Sequence, residues 1–460
     1  MLRTVLQALC AIVTAGALAA CGASSNAMQT QPAARGASGS ISPIQHVVVM
    51  VQENRTFNNF FATYPGTDGT TTAKVVAQPS CTPPISAGTI ALTKTNLVLS
   101  YDLNHKYAGF KAGYDKGTMD GFDRIKRQNG KPECYDPLVY TDPSQIQPYW
   151  ILAEQYVLAE HMFTTHGSSS FVAHQDLIRG STQISSQYSL IDDPTSKVWG
   201  CDAKSKTKTS LITAKDKVLV AKGPFPCSNA FPDSSTYRTL RDLLDAAGLS
   251  WKYYVPKLGV NYGNILDAFD VIAPVRYGPE WATNVVSPET TVLNDVADGT
   301  LPAVSWVIPS EPDSDHPGES VDRGPAWVAN VVNAIGESNY WNSTAIVVVW
   351  DDWGGLYDND PPAQRTFGEL GFRVPALIVS PYAKAGHIST TTYEFGSILR
   401  YIEENWNLGY LGTTDSTANS LIDSFDYTQQ PIQFQPIPSS FDRAYFLRQP
   451  PGLRPPDTDF

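Results

Sequence analysis

Charge is scarce in this chain. Only 17% of its 460 residues are charged, and basic residues (33) are outnumbered by acidic ones (45), for a net charge of −12. With a pI near 5.0 there is little material for a basic face, which speaks against a nucleic-acid partner and against electrostatic docking on anionic lipid. Long apolar runs are also missing beyond residue 20: no eighteen consecutive apolar residues occur there, so no membrane-spanning helix is expected. Cysteine (6) and histidine (7) are few. No two cysteines stand at C-x-x-C spacing, so a zinc–thiolate site is not expected. What is present is 42% hydrophobic residues, 11% of the chain being aromatic, which excludes a wholly disordered protein. The 33 glycines and 34 prolines point to many loops around a substantial core.

Residues 1–20 carry one positive charge, Arg3, followed by an apolar run from Val5 to Ala20, as in a signal peptide. The run ends Leu18-Ala19-Ala20-Cys21-Gly22, which resembles a bacterial lipobox and makes Cys21 the candidate lipidated N-terminus; a plain secretory signal is the other reading. Residues 21–42 are small and polar, as in a flexible tether. The expectation is an exported bacterial lipoprotein, periplasmic or at the cell surface, anchored to the membrane, with one domain over residues 43–460. Four cysteines then remain, and an even number in an oxidising compartment reads as two disulfides. Of the three connectivities we favour Cys81–Cys134 with Cys201–Cys227.

His46–Val51 is β-branched without alternation, as in a strand buried on both faces of a parallel sheet. Residues 303–308, 344–350 and 375–380 read as further strands. Helical patterns span 148–161, 172–180, 235–247, 324–337 and 393–406; residues 65–97 read as loop, and the tail after Thr428 as a surface wrap. Strands alternating with helices predict an α/β fold.

Two strands end on acids. His46–Val51 runs into Gln52-Glu53-Asn54-Arg55, and Ala345–Trp350 into Asp351-Asp352 and then Gly354-Gly355. In open α/β sheets ligands sit beyond the carboxyl ends of strands. Three carboxylates and an amide oxygen brought together there suit a divalent cation and repel one another without it. Glycine at 354–355 permits close backbone approach. Thr164–Ser170 lies between helical stretches, which puts a hydroxyl near a helix N-terminus; spacing alone does not choose among Ser168, Ser169 and Ser170. His105 and His316 sit in polar loops suited to a general acid. His161, His166 and His387 have no supporting context.

As an ordered set these segments resemble the bacterial phosphoesterase family of phospholipases C and AcpA-type acid phosphatases, related in fold to alkaline phosphatases and sulfatases. The likeness runs from Glu53-Asn54-Arg55-Thr56-Phe57 through Asp102-Leu103-Asn104-His105, Met119-Asp120-Gly121-Phe122 and Asp315-His316-Pro317. It continues in Trp350–Asp358, Arg373–Pro381 and Ser397–Arg400. It implies an alkaline phosphatase-like fold: a largely parallel central sheet, helices on both faces and loop-rich insertions. It also implies one divalent metal held by Glu53, Asn54, Asp351, Asp352 and Ser170. Ser170 is the implied nucleophile, His105 and His316 line the phosphate site, and His174 and Asn54 bind substrate. The substrate would be a phosphorylated small molecule or a phospholipid, hydrolysed through a phosphoserine. No C-x-P-x-R or S-x-P-x-R segment supplies a sulfatase nucleophile. The chain departs from the pattern around Ser170: a proline is missing, Ala173 replaces an asparagine, and no histidine stands between His174 and His316. That departure supports an alternative, a catalytically weak surface lipoprotein that binds a phosphate or lipid ligand.

Overall fold

The computed structural model describes residues 42–450, apart from 129, 131–132, 197, 229–236 and 257–265. The readings made for residues 1–41, Cys21 included, lie outside the described residues. Eight strands form the main sheet: β1 His46–Gln52, β2 Val157–Ala159, β3 Trp251–Tyr254, β4 Val285–Val286, β5 Val304–Val307, β6 Thr344–Trp350, β7 Ala376–Val379 and β8 His387–Ser389. Their spatial order is β4-β3-β5-β1-β6-β7-β2-β8. Only the two pairings of β7 are antiparallel, so β7 alone runs against the other seven. The largely parallel sheet predicted from the unbroken β-branched runs is what the chain forms. Val47–Gln52 and all of β6 are buried, as strands covered on both faces must be.

The helices used below are α1 Phe57–Phe61, α2 Tyr107–Tyr114, α3 Gln147–Gln155, α4 Ser170–Arg179, α5 Gly324–Gly336 and α6 Phe395–Trp406. Strand alternation shows which face each covers. Gln52 and Trp350 are register partners and share a face. Gln52 Nε2 lies 3.3 Å from the Tyr149 hydroxyl of α3, and the Tyr149 and Trp350 rings meet edge to face at 4.9 Å. Trp306 pairs with Val49, points to the other face, and donates from Nε1 to Leu177 O of α4 at 3.2 Å. Helix α5 packs with α3, and α6 with α4.

Beyond the strand ends a satellite core forms around Phe110, Phe122, Trp353 and Phe372, with ring centroids 4.6–4.9 Å apart at three of its contacts. It ties the His105 loop to the segment after β6, and Trp353 Nε1 donates to His105 O at 3.1 Å. Both favoured disulfides are formed, Cys81–Cys134 and Cys201–Cys227.

Three local expectations are corrected. The helix predicted over 148–161 ends at Gln155; Tyr156 leaves helical geometry and Val157–Ala159 become β2. Pairing with β7 and β8 inside the core outweighs the local helical pattern there. The helix predicted over 235–247 begins at Leu240, after Thr239, which forms a capping box with Asp242. The supposed loop 65–97 contains short strands at Thr72–Val75, Gly88–Ala91 and Thr93–Thr95. The tail does wrap the domain: the amides of Asn330 and Asn333 on α5 donate to Phe441 O and Ile437 O.

Candidate active site

The sequence puts acids directly after β1 and β6, and the sheet makes these strands parallel neighbours, so both pairs arrive at one edge. Glu53, Asn54, Asp351 and Asp352 are fully buried. Asn54 adopts positive φ (58°), which asparagine tolerates better than most residues, and this turns its backbone toward β6. Asn54 N donates to Asp351 Oδ1 at 3.0 Å. Gly354 closes over the same turn; a Cβ there would lie 2.1 Å from Asn54 O, so only glycine fits.

Ser170 is the first residue of α4, and its hydroxyl donates to Asp352 Oδ2 at 3.1 Å. The neighbouring serines are engaged elsewhere. Ser169 Oγ donates to Asp193 Oδ1 at 2.8 Å, and Ser168 Oγ accepts from Asp192 N at 2.8 Å. His166, which had no context in the sequence, braces this loop against α4 through Nδ1 and Asp176 Oδ2 at 2.7 Å. Four residues on from Ser170, His174 places Nε2 3.3 Å from Glu53 Oε1 and 3.8 Å from Asp351 Oδ2. The reading that assigns His174 to substrate thus meets a ring set among the carboxylates.

Hydrogen positions follow from partners. His105 Nδ1 faces Leu103 O at 2.8 Å, and a carbonyl only accepts, so Nδ1 carries the proton. In the neutral ring Nε2 is then an acceptor for Asn54 Nδ2 at 3.1 Å. Turning the amide over would satisfy the Asn54 oxygen only if His105 were doubly protonated. With Nδ2 on His105, Asn54 Oδ1 is turned toward Glu53 and Asp351 and faces further acceptors. Asp351 Oδ2 has no hydrogen-bond donor among the described residues. A buried acceptor without a donor is costly, and a cation answers it together with the Glu53, Asn54 and Asp352 oxygens around it. Burial pushes the Glu53 and Asp351 carboxyls up to about 8 and the His174 imidazole down to about 4. Glu53, His174 and Asp351 each offer a donor atom within 4.8 Å of the others. This oxygen-rich set with one nitrogen fits a divalent metal.

His105 also lies 3.8 Å from Asp352 Oδ2, and its ring centroid is 6.4 Å from that of His316. The His316 loop is held from below: Asp315 accepts from Tyr149 Oη (2.6 Å), Trp350 Nε1 (3.0 Å) and Gln52 Nε2 (3.3 Å). Glu53, Asn54, His105, Ser170, His174, Asp351 and Asp352 therefore meet beyond the carboxyl ends of β1 and β6, with His316 beside His105, while Cys21 lies outside the described residues. Sequence reasoning missed the acids that sort the serines, Asp192 and Asp193, and the His166–Asp176 brace; nothing local marks them. It also missed a second acidic group, Asp68, His161 and Asp360, which lies beside the buried guanidinium of Arg373.

The model of the Phosphoesterase family matches residues 44–409. The chain belongs to the Phosphoesterase family. This is a family of hydrolases acting on phosphoric esters. Among curated relatives, the phosphoesterase is 25% identical over 424 residues to the non-hemolytic phospholipase C of Burkholderia pseudomallei, covering 81% of this chain and 56% of that protein. It is 23% identical over 456 residues to phospholipase C B of Mycobacterium tuberculosis, covering 86% and 80%. Among solved structures, a Vibrio parahaemolyticus protein of the alkaline phosphatase superfamily aligns with TM-score 0.34 and 13% identity, over 60% of this chain and 65% of that one. Human ectonucleotide pyrophosphatase/phosphodiesterase 5 aligns with TM-score 0.36 and 8% identity, over 61% and 94%.

Proposed function

We propose that this phosphoesterase hydrolyses phosphate esters through a serine phosphoenzyme, with one divalent metal held by Glu53, Asn54, Asp351, Asp352 and the Ser170 oxygen. The observation that carries the reading is the Ser170 hydroxyl on Asp352 beside the buried Asp351 Oδ2, which lacks a donor among the described residues. A divalent metal bound there supplies Lewis-acid stabilisation of a phosphoryl oxygen and favours the serine alkoxide. Ser170 Oγ attacks phosphorus as the bond to the leaving oxygen breaks. The N-terminus of α4 points its dipole at the developing charge. The Ser170 proton passes to Asp352 Oδ2, which already accepts its bond, and His105 or His316, as the imidazolium with Nδ1–H on a backbone carbonyl, protonates the leaving alcohol from Nε2. A water then attacks the phosphoserine, and the Ser170 oxygen departs and recovers its proton.

The names of the relatives support a phospholipid substrate, and the same site geometry serves a phosphomonoester. Lipidation at Cys21, followed by a tether of about twenty residues, would hold the enzyme at a membrane. The test is to assay the protein on p-nitrophenyl phosphate, on a phosphodiester and on phosphatidylcholine, with and without chelator. Turnover that requires metal and is lost in Ser170→Ala supports the reading. Turnover that survives Ser170→Ala or chelation overturns it, and no turnover with metal supplied favours the ligand-binding alternative.

A further inference from the structure

The metal reading leaves open why a histidine stands among the carboxylates. Tyr253, on β3, is a register partner of Trp306, so its ring points to the α4 face of the sheet. It is 1% exposed, and its hydroxyl donates to Leu266 O at 3.0 Å. That uses its one proton. The same oxygen lies 3.4 Å from His174 Nδ1, so the hydrogen between them comes from the imidazole. A neutral ring protonated at Nδ1 carries its lone pair on Nε2. Here Nε2 faces Glu53 Oε1 at 3.3 Å and Asp351 Oδ2 at 3.8 Å, both acceptors once the carboxyls are ionised, as they are on a metal. The opposite tautomer would satisfy Glu53, but Nδ1 would then need the tyrosine proton and Leu266 O would lose its donor in the core.

We propose that Tyr253 is a positioning residue that holds His174 in the Nδ1–H tautomer, so that His174 Nε2 serves as a nitrogen ligand beside Glu53 and Asp351. This rests on the metal reading above. It moves His174 from substrate binding to the metal, and it shifts the preference of the site from calcium or manganese toward zinc, which takes imidazole readily. Partners that orient a ligating histidine typically change metal affinity 10- to 100-fold.

The experiment uses the full chain, labelled with 15N-histidine and stripped of metal, titrated calorimetrically with Zn2+, Mn2+ and Ca2+. Tyr253→Phe keeps the ring and removes only the hydroxyl; it is expected to weaken Zn2+ binding 10- to 100-fold. His174→Gln is expected to weaken it at least as much, and Tyr253→Phe to add nothing further in that background. In the zinc-loaded wild type, long-range 15N–1H spectra should show the His174 proton on Nδ1, a result that needs no variant to fold. Equal affinities, additive losses in the double variant, or a proton on Nε2 in the zinc-loaded protein would overturn the proposal. Failure of the wild type to bind any of the three metals overturns the metal reading itself, and this inference with it.

Discussion

Among the described residues two groups of acids gathered around a histidine could hold a cation, and they are neutralised differently. Around Arg373, a fully buried guanidinium donates from Nε to Asp358 at 2.9 Å and from Nη1 to Asp68 at 2.5 Å, and stacks over Phe57 at 4.7 Å. His161 adds a hydrogen bond to Asp68 at 3.3 Å and a looser ion-pair contact with Asp360 at 3.7 Å. Glu53 and Asp351 face the His174 imidazole, and among the described residues neither acid pairs with a lysine or arginine. The protein supplies its own cation to the first group and leaves the second to be completed. The same residue types are thus held by the protein's own cation in one place and, on the proposed function, by a bound metal in the other.

The sharpest way to break this comparison is to cut each group at its centre. Ser170→Ala should lower turnover by roughly 10^4-fold or more while the urea midpoint stays near that of the wild type. Asp351→Asn should also abolish turnover, yet should not lower the midpoint of the metal-free protein, because the amide oxygen still accepts from Asn54 N while repulsion with Glu53 is removed. Arg373→Met should do the reverse, costing about 3–5 kcal/mol in urea unfolding by stranding Asp358. A midpoint drop in Asp351→Asn as large as that in Arg373→Met would erase the distinction. Next, a metal at about 100 times its Kd should add ~2.7 kcal/mol of stability, seen as a higher Tm, and Asp351→Asn should remove that gain.

The smallest effect is at the rim of the Arg373 group. Burial opposes it, but the bond to Asp68 raises the His161 pKa above its ordinary value. A raised folded pKa means that the contribution is complete below pH 6.5 and is lost as pH rises through the folded value. His161→Gln should therefore lower the urea midpoint at pH 5.5 by the equivalent of roughly 0.2–1 kcal/mol, and by less at pH 8.5. Burial opposes the Asp68 shift too, yet His161 and Arg373 hold that carboxyl at about 2, so its own share persists until much lower pH.

The Glu53–Asp351 group was far more legible in sequence than the Arg373 one. Glu53-Asn54 and Asp351-Asp352 follow unbroken β-branched runs, and consecutive residues at strand ends keep their neighbours in any parallel sheet. Arg373 and Asp68 are 305 positions apart, and no periodicity links them. The choice of Ser170 over its neighbours depends on Asp192 and Asp193, whose loop folds back only in three dimensions. Tyr253 reads as one aromatic in a strand, and its role appears only when Leu266 O takes its proton. The break at Tyr156 was hidden for the same reason: a helical pattern of three turns gave way to pairing with partners some 220 residues further on.

The place of β1 has a consequence for how the chain is made. It is the first strand in the sequence, yet it lies between β5 and β6, and about 250 residues separate Gln52 from Val304. At typical synthesis rates of about 5–20 residues per second, its partners emerge on the order of tens of seconds later. For that interval Val47-Val48-Val49-Met50-Val51, a segment of high β-propensity and no charge, has no neighbour to pair with. Shielding by a chaperone, or synthesis coupled to movement across a membrane, would keep it from other chains until β5 and β6 arrive.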